Sequence, residues 1–340
     1  MNQPIHDVFS RPLHDVRISV IDRCNFRCPY CMPEEEYSKH YTFLKEKDWL
    51  TFTEITRLTK IFTQLGAKKI RITGGEPLLR PGVMDLIEEL TQIEDIEDLA
   101  ITTNGALLTK YAVDLKAAGL KRLTVSLDTL DSRIFKAMSG GKGSLAQVLD
   151  GIKNAERAGF KQIKINVVVQ KGVNDQTILD LVHYFKNSGH ILRFIEYMDV
   201  GNCNHWEEGF VLPSKRIADT INAYTPIEPL DANYRGEVAE RYRFKDGSGE
   251  IGFISSVSQP FCRDCTRLRL STEGKLFTCL FASEGTDIRA LMRSGAADEE
   301  LLTKIRGVWQ QRTDRYSELR SPENMKERQR EKIEMFQIGG

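Results

Sequence analysis

The segment Asp22-Arg23-Cys24-Asn25-Phe26-Arg27-Cys28-Pro29-Tyr30-Cys31 places three cysteines within eight residues, directly after a short apolar run that predicts a strand. Three thiolates are one short of the four that close a structural zinc site, and a disulfide between Cys28 and Cys31 would constrain the chain little. A four-iron cluster held by three cysteines keeps one iron open, and that iron can bind a cofactor and pass it an electron. The spacing C-x3-C-x2-C therefore predicts a redox-active iron–sulfur cluster, with a zinc site that takes a distant fourth ligand as the alternative.

The composition indicates no charged macromolecular partner. The chain has 340 residues, with 48 Lys plus Arg and 48 Asp plus Glu, so its formal net charge is zero. This balance predicts no nucleic-acid partner and no membrane partner. No run of 18 apolar residues occurs, and residues 1–10 lack the basic and apolar regions of a signal peptide, so we expect a cytoplasmic protein. In that reducing compartment six of the seven cysteines are expected to bind metal, and Cys203, which stands apart, to be a free thiol.

Strand-like and helix-like runs alternate six times along the first two thirds of the chain. The predicted strands are 16–21, 69–73, 99–103, 122–128, 162–169 and 192–198. The clearest predicted helix begins at Thr51, where Glu54 completes a capping box, and ends at Gly66; the others are about 82–90, 108–118, 145–158, 174–186 and 213–222. Repeated βα units predict an α/β fold with a parallel sheet and right-handed crossovers. Six units rather than eight predict an incomplete (β/α)6 barrel of the TIM type.

The predicted strands alternate between apolar and polar side chains, whereas parallel strands covered on both faces should be apolar throughout. The polar set is Arg17, Ser19, Lys69, Arg71, Thr73, Thr102, Thr124, Ser126, Asp128, Lys164 and Asn166, joined by Arg193 of the sixth strand. A closed barrel fills its interior with branched apolar side chains, so these residues predict an open barrel with an internal cavity. Five of them are cations, which need an anionic partner if they are buried. A sheet with one solvated face is the alternative.

The sequence pattern changes after Asn222, and we predict a barrel of residues 1–222 and a C-terminal extension of residues 223–340. The extension contains strand-like runs at 237–244 and 250–256, followed by Cys262, Cys265 and Cys279, with Thr266-Arg267-Leu268-Arg269 inside this group. C-x2-C-x13-C is a second incomplete triad without a nearby histidine, so a second iron–sulfur cluster is favoured and zinc is the alternative. Residues 287–340 are charged and helix-like, and we expect them to pack on the barrel.

These motifs together resemble the radical S-adenosylmethionine (SAM) enzymes, whose signature is C-x3-C-x2-C with an aromatic residue, here Tyr30, before the last cysteine. Gly74-Gly75-Glu76-Pro77, after the second predicted strand, matches the motif by which that family contacts SAM. With the second triad around Thr-Arg-Leu-Arg and a terminal Gly-Gly, the whole chain is similar to the GTP 3',8-cyclases of molybdenum cofactor biosynthesis.

The resemblance implies a lyase with two [4Fe-4S] clusters and SAM. It would convert GTP to (8S)-3',8-cyclo-7,8-dihydroguanosine 5'-triphosphate, through a 5'-deoxyadenosyl radical that removes the ribose 3'-hydrogen. Cyclic pyranopterin monophosphate synthase would be the next enzyme of the pathway. The electron donor and the choice between monomer and homodimer stay open.

Site residues follow from the resemblance position by position. The implied iron ligands are Cys24, Cys28, Cys31, Cys262, Cys265 and Cys279. The implied SAM contacts are Tyr30, Gly75, Ser126 and Met198. The expected GTP contacts are Arg17, Arg71, Thr102, Lys164, Arg267, Leu268 and Arg269, to which the cationic strand pattern adds Lys69 and Arg193. Arg17, Arg71, Arg267 and Arg269 are also expected to serve catalysis.

Two other functions compete with this one, a non-enzymatic protein whose clusters store or sense electrons, and a radical SAM maturase that modifies a peptide. The cationic cavity and the Gly-Gly-Glu-Pro motif favour an enzyme over the first, and no segment resembles a peptide-docking domain, which disfavours the second. The resemblance also predicts that Gly339 and Gly340 thread toward the barrel opening, with a frayed end as the alternative.

Overall fold

Six parallel strands form the centre of the fold. The computed structural model describes residues 4–38, 40–320 and 331–339. The six strands are β1 (Asp15–Ser19), β2 (Lys69–Thr73), β3 (Asp98–Thr103), β4 (Arg122–Ser126), β5 (Lys164–Val169) and β6 (Ile191–Glu196). They are hydrogen-bonded to one another in chain order, and every pair is parallel. The predicted α/β fold with a parallel sheet is confirmed.

Later strands extend this sheet on both sides. β7 (Ile227–Leu230), β8 (Glu240–Phe244) and β9 (Glu250–Ile254) lie beyond β6, and β10 (Arg267–Leu270), β11 (Lys275–Phe277) and β12 (Thr286–Asp287) lie beyond β1. β9 is parallel to β6 and β10 is parallel to β1, whereas the outer pairs are antiparallel. The described strands thus form one sheet of 12, and its outermost members, β7 and β12, are not paired with each other.

Helices follow each of the six central strands, and others lie after β12. They are α1 (Phe52–Gln64), α2 (Val83–Thr91), α3 (Leu108–Ala117), α4 (Ser132–Met138), α5 (Leu145–Arg157), α6 (Ile178–Phe185), α7 (Ser214–Tyr224), α8 (Arg289–Arg293), α9 (Asp298–Gln310) and α10 (Met335–Ile338). α1 has the predicted capping box, in which Thr51 Oγ1 accepts from Glu54 N and the Glu54 carboxylate accepts from Thr51 N. Gly66 follows α1 with a φ of +108°, which favours glycine. None of the described helices is both long and apolar enough to span a bilayer.

The apolar half of the strand alternation packs beneath the helices. Its members expose 1% or less of their surface, namely Ile18, Ile70, Ile72, Ile101, Leu123, Val125 and Ile165. They share one hydrophobic cluster with the inner faces of α1, α2, α3, α5 and α6. Burying each such side chain stabilises the fold by about 1.5–3 kcal/mol. The helices therefore cover one face of the sheet and leave the polar face for the site.

The predicted helix at 174–186 begins later than the pattern indicates. A 3₁₀ turn at Asp175–Thr177 precedes α6. The Asn174 side chain donates to the carbonyl oxygens of Asp128 and Val168 at 2.8 and 2.9 Å. This amide is therefore committed to the ends of β4 and β5 and does not begin the helix.

Several predicted strands and the C-terminal region are also shorter or less regular than expected. The strand predicted at 122–128 ends at Ser126, and the runs at 237–244 and 250–256 form strands only over Glu240–Phe244 and Glu250–Ile254. Within 287–339 the described helices are α8, α9 and α10, and residues 321–330 and 340 lie outside the described residues.

Candidate active site

The polar face of the sheet lines a cavity of about 300 Å³. Both cysteine groups contribute to its wall, and polar side chains of β1–β6 lie between them. The wall contains every residue that the sequence assigns to iron, SAM or GTP except Leu268. The Leu268 side chain is fully buried in the hydrophobic core, which leaves only its backbone for a ligand.

The first cysteine group lies on the loop after β1. Arg27 holds this loop, because its guanidinium donates to the carbonyl oxygens of Cys24 at 2.8 Å and of Tyr37 at 3.0 Å. Burial raises the pKa of the Cys24 thiol to about 11, and it raises the pKa values of Cys28 and Cys31 as well. Metal ligation needs thiolates, so loading this loop must release protons.

Tyr30 is fixed in the same loop by the Asp128 carboxylate, which lies just after β4. Its hydroxyl donates to Asp128 Oδ2 at 2.7 Å, and Asp128 Oδ1 accepts from Val168 N at 2.8 Å. Burial raises the pKa of Asp128 to about 6. One carboxylate thus joins the cysteine loop to the ends of β4 and β5.

The Gly-Gly-Glu-Pro turn packs directly on the cysteine loop. A Cβ atom at Gly75 would lie 2.3 Å from the carbonyl oxygen of Arg23, so only glycine fits there. The next residue, Glu76, is fully buried and accepts from Thr103 Oγ1 and from Asn104 N, both at 2.8 Å. Burial raises the pKa of Glu76 to about 7. The turn therefore joins β2, β3 and the cysteine loop.

Asn104 carries this connection to the first cysteine and has no assigned role in the sequence prediction. Its Nδ2 donates to Asn25 Oδ1 at 2.7 Å and lies 3.8 Å from Cys24 Sγ. Only the Asn-Gly pair after the third strand marks this position in the sequence.

Cations of the central strands form the middle of the cavity wall. Arg71 Nη1 donates to Thr102 Oγ1 at 2.9 Å and to Thr124 Oγ1 at 3.0 Å. Burial, reinforced by neighbouring cations, lowers the pKa of Lys164 to about 7 and that of Arg193 to about 9. Arg193 Nε has no hydrogen-bond partner among the described residues. This wall is suited to an anionic ligand, which would partner the buried cations.

The amino-terminal ends of the strands meet a loop between β7 and β8. Lys69 Nζ lies 3.7 Å from the centroid of the Tyr234 ring and 3.7 Å from Asp98 Oδ2. Arg122 Nε donates to Asp98 Oδ1 at 2.6 Å. Tyr234 and Glu237 of this loop also line the cavity. The sequence prediction gave neither residue a role in the site, because no pattern marks Tyr234 and Glu237 was assigned only to the predicted strand 237–244, which begins at Glu240.

The second cysteine group is held by arginines. Cys262 begins a short 3₁₀ turn, and Cys265 follows its last residue. The guanidiniums of Arg267 and Arg312 lie 3.1 and 3.0 Å from Cys265 Sγ. Burial acts to raise the pKa of the Cys265 thiol, but these two charges outweigh it and lower the pKa to about 6. Among the described residues no guanidinium donates to Cys279 Sγ, which accepts from the backbone N–H of Phe281 at 3.5 Å, and burial raises the pKa of this thiol to about 12. The sequence prediction missed Arg312, which lies in a segment without a motif.

The C-terminal residues enter the same cavity, as predicted for the tail. Phe336 exposes 1% of its surface and lines the cavity. Arg269 donates from Nη1 to the carbonyl oxygens of Ile338 and Gly339. A Cβ atom at Gly339 would lie 2.0 Å from Thr73 Cγ2, and its φ is +74°. Gly340, the other half of the predicted Gly-Gly, lies outside the described residues.

Each cysteine triad offers thiols alone, at the wall of a cavity with space beside them. Among the described residues, no group of three His, Cys, Asp or Glu side chains is placed to hold a metal ion. A four-iron cluster binds its thiolates on separate irons, so its cysteines stand further apart than the ligands of a single ion. A set of soft thiolate donors in this arrangement fits an iron–sulfur cluster.

Comparisons with known proteins give two family matches that together cover most of the chain. Residues 18–185 match the radical SAM superfamily, and residues 190–318 match Molybdenum Cofactor Synthesis C. The chain is 52% identical to the GTP 3',8-cyclase of Xanthomonas campestris pv. campestris (strain 8004), over 99% of this chain and 98% of that protein. It is 47% identical to the GTP 3',8-cyclase of Staphylococcus epidermidis (strain ATCC 35984), over the full length of both.

A solved structure shares the fold at low sequence identity. Streptococcus suis SuiB bound to S-adenosylmethionine superposes with a TM-score of 0.61 and 17% identity, over 87% of this chain and 68% of that one.

Proposed function

The chain belongs to the GTP 3',8-cyclase family of radical SAM enzymes, and from this membership we propose that it converts GTP to (8S)-3',8-cyclo-7,8-dihydroguanosine 5'-triphosphate. The reaction would be that of a lyase in the first step of molybdenum cofactor biosynthesis, and cyclic pyranopterin monophosphate synthase would take the product. One observation carries the proposal: a single cavity joins two cysteine triads through a wall of half-buried and buried cations. Such a cavity can hold an anionic substrate between two metal clusters.

We propose a [4Fe-4S] cluster on Cys24, Cys28 and Cys31 and a second on Cys262, Cys265 and Cys279. When bound, the first cluster and SAM would supply the radical chemistry that removes the 3'-hydrogen of the substrate ribose. The protein's own part is to orient both ligands and to exclude water from them. Tyr30, Gly75, Ser126 and Met198 are the proposed SAM contacts, and all four lie on the cavity wall. The Asp128 carboxylate would keep Tyr30 in place beside the cofactor.

The cationic wall is the proposed GTP site. Arg17, Lys69, Arg71, Thr102, Lys164, Arg193, Arg267 and Arg269 would contact the nucleotide through side chains, and Leu268 through its backbone. Guanidinium groups can hold phosphate oxygens in pairs and stay charged at neutral pH. Arg17, Arg71, Arg267 and Arg269 would also stabilise charge on the reacting nucleotide. Arg269 would do so while holding the backbone of the tail, which it already contacts.

The open order of the sheet supports a further proposal about architecture. The central strands and their helices would be an incomplete (β/α)6 barrel of residues 1–222, and residues 223–340 would be an extension that carries the second cluster. The strands of this extension flank the central six on both sides, where they would close the site laterally.

An anaerobic assay of iron content and SAM cleavage, with and without GTP, tests the function. We expect iron at both triads, with formation of 5'-deoxyadenosine and of the cyclised nucleotide when GTP is present. Changing Cys24, Cys28 or Cys31 to Ser should abolish SAM cleavage and leave iron at the second triad. Cys203→Ser is the matched control, because Cys203 is outside both triads and should leave cleavage unchanged. Iron without SAM cleavage would favour an electron-storage protein, and cleavage without nucleotide cyclisation would refute the substrate assignment.

A further inference from the structure

A buried guanidinium contacts the second cysteine group from outside its loop. Arg312 follows α9, and its side chain is 1% exposed. Nη2 lies 3.0 Å from Cys265 Sγ, and Nη1 donates to the Cys265 carbonyl oxygen at 2.6 Å. The two ends of the guanidinium therefore fix the sulfur and the backbone of one cysteine together.

Residues near the start of the chain hold this arginine in place. Asp7 Oδ2 lies 3.8 Å from Arg312 Nη1, and the same carboxylate pairs with Arg11 at 2.5 Å in a fully buried contact. Arg11 in turn donates to the carbonyl oxygens of Cys262 and Asp314, each at 2.8 Å. The turn that carries Cys262 and Cys265 is thus clamped by segments from both ends of the chain.

The geometry of this clamp indicates a charged sulfur. Arg312 Nε donates to Asp314 Oδ2 at 3.3 Å, whereas the acceptor for Nη2 among the described residues is the Cys265 sulfur. A thiol is a weak acceptor, and a buried guanidinium N–H needs a strong one to offset its lost hydration. Thiolate at Cys265 supplies such an acceptor, and iron ligation requires a thiolate. Cys24 differs, because the hydrogen-bond donors that the described residues offer to its Sγ are neutral: the backbone N–H of Phe26 at 3.4 Å and the amide of Asn104 at 3.8 Å.

We propose that Arg312 is a positioning residue for the C-terminal iron–sulfur cluster. Arg312 would donate a hydrogen bond to the Cys265 sulfur while that sulfur is bonded to iron, and this bond would raise the reduction potential of the cluster. Hydrogen bonds to the sulfurs and the nearby net charge set the potential of such clusters. A buried positive charge stabilises the reduced, more negative form. This inference rests on the proposed function, because it requires a cluster at the second triad.

The test measures the midpoint potential of the second cluster alone. Full-length protein in which Cys24, Cys28 and Cys31 are all serine should carry only that cluster. Redox titration followed by electron paramagnetic resonance then compares this protein with versions that also carry Arg312→Gln or Arg312→Lys. We expect the potential to fall in the glutamine variant and to fall less in the lysine variant, because lysine keeps the charge but loses the two-ended donor.

Arg263→Gln is the matched control. Arg263 lies in the same turn, but its side chain is 82% exposed, so solvent screens its charge and the potential should hardly move. If the glutamine variant does not fold, the potential of the lysine variant is the test. Its compact ammonium cannot reach both the sulfur and the carbonyl oxygen, so this potential should still lie below that of the parent protein. Loss of iron from a folded glutamine variant that lysine restores would also support the positioning role. Iron bound at an unchanged potential in both variants would overturn this inference and leave the proposed function standing. Absence of iron from the second triad in the parent protein would instead overturn the second cluster itself.

Discussion

Lys164 of β5 is the cavity cation whose charge should change near neutral pH. Burial lowers its pKa to about 7, and three arginines of the central sheet, Arg193, Arg122 and Arg71, push it in the same direction, while Glu237 opposes them. A triphosphate bound against this wall would reverse the balance and return the pKa of Lys164 toward its ordinary value near 10.5. GTP binding should therefore take up a proton above pH 7.

The size of the effect follows from the two pKa values. With a pKa of about 7 in the free protein, half of the Lys164 side chains are charged at pH 7 and about 3% at pH 8.5. If only the charged form binds the triphosphate well, the affinity for GTP falls by about fifteen-fold between these pH values, which is about 1.6 kcal/mol. The phosphate groups of the ligand contribute little to this change, because their last ionisation lies near pH 6.

Titration calorimetry of the metal-free protein with GTP at pH 7 and pH 8.5, in two buffers of different ionisation enthalpy, measures both the affinity and the protons taken up. Lys164→Arg is the matched control, because arginine stays charged over this range and should remove most of the pH dependence. Lys164→Ala should lose roughly ten-fold or more in affinity at pH 7, since a charge-assisted bond contributes about 1.5–3 kcal/mol, and should respond little to pH. Equal affinity of the unmodified protein at both pH values, or the same slope in the arginine variant, would refute this reasoning.

Two further predictions concern the tail and a buried carboxylate. Gly339→Ala should lower turnover of GTP while both iron sites stay loaded, because its Cβ would lie 2.0 Å from Thr73 Cγ2. The control is Gly172→Ala, at a similar φ of +78° with open space around it, which should leave turnover unchanged. Equal rates of turnover in both variants would mean that the tail is passive. Glu196→Ala should lower the free energy of unfolding by about 3 kcal/mol or more, because the carboxylate accepts three backbone N–H groups at 2.7–2.8 Å from α7 and the loop after β9. Chemical denaturation measures this loss, with exposed Glu88→Ala as the control expected within about 0.5 kcal/mol of the parent, and a loss equal to that control would contradict the argument.

The sequence alone determined the features that depend on short-range backbone geometry. In a strand, successive side chains point to opposite faces, so the alternation of Arg17, Ile18, Ile70 and Arg71 predicted both the core face and the cavity face. The capping box at Thr51 likewise predicted where α1 begins. Cysteine spacing marked two groups of thiols, because Cys24, Cys28 and Cys31 share one loop and Cys262, Cys265 and Cys279 lie before and after one short pair of strands.

The tertiary structure decided which distant segments meet. β9 and β10 join opposite sides of the central sheet, and this placement brings the second cysteine triad to the cavity that the first triad also lines. The clamp of Asp7, Arg11 and Arg312 on Cys265 joins the two ends of the chain, and no local pattern encodes such a contact. Leu268 differs from these contacts, because the Thr-Arg-Leu-Arg motif grouped it with Arg267 and Arg269 as a GTP contact, whereas its side chain is fully buried. The pleat of β10 directs its side chain to the core, because neighbours along a strand face opposite sides of the sheet.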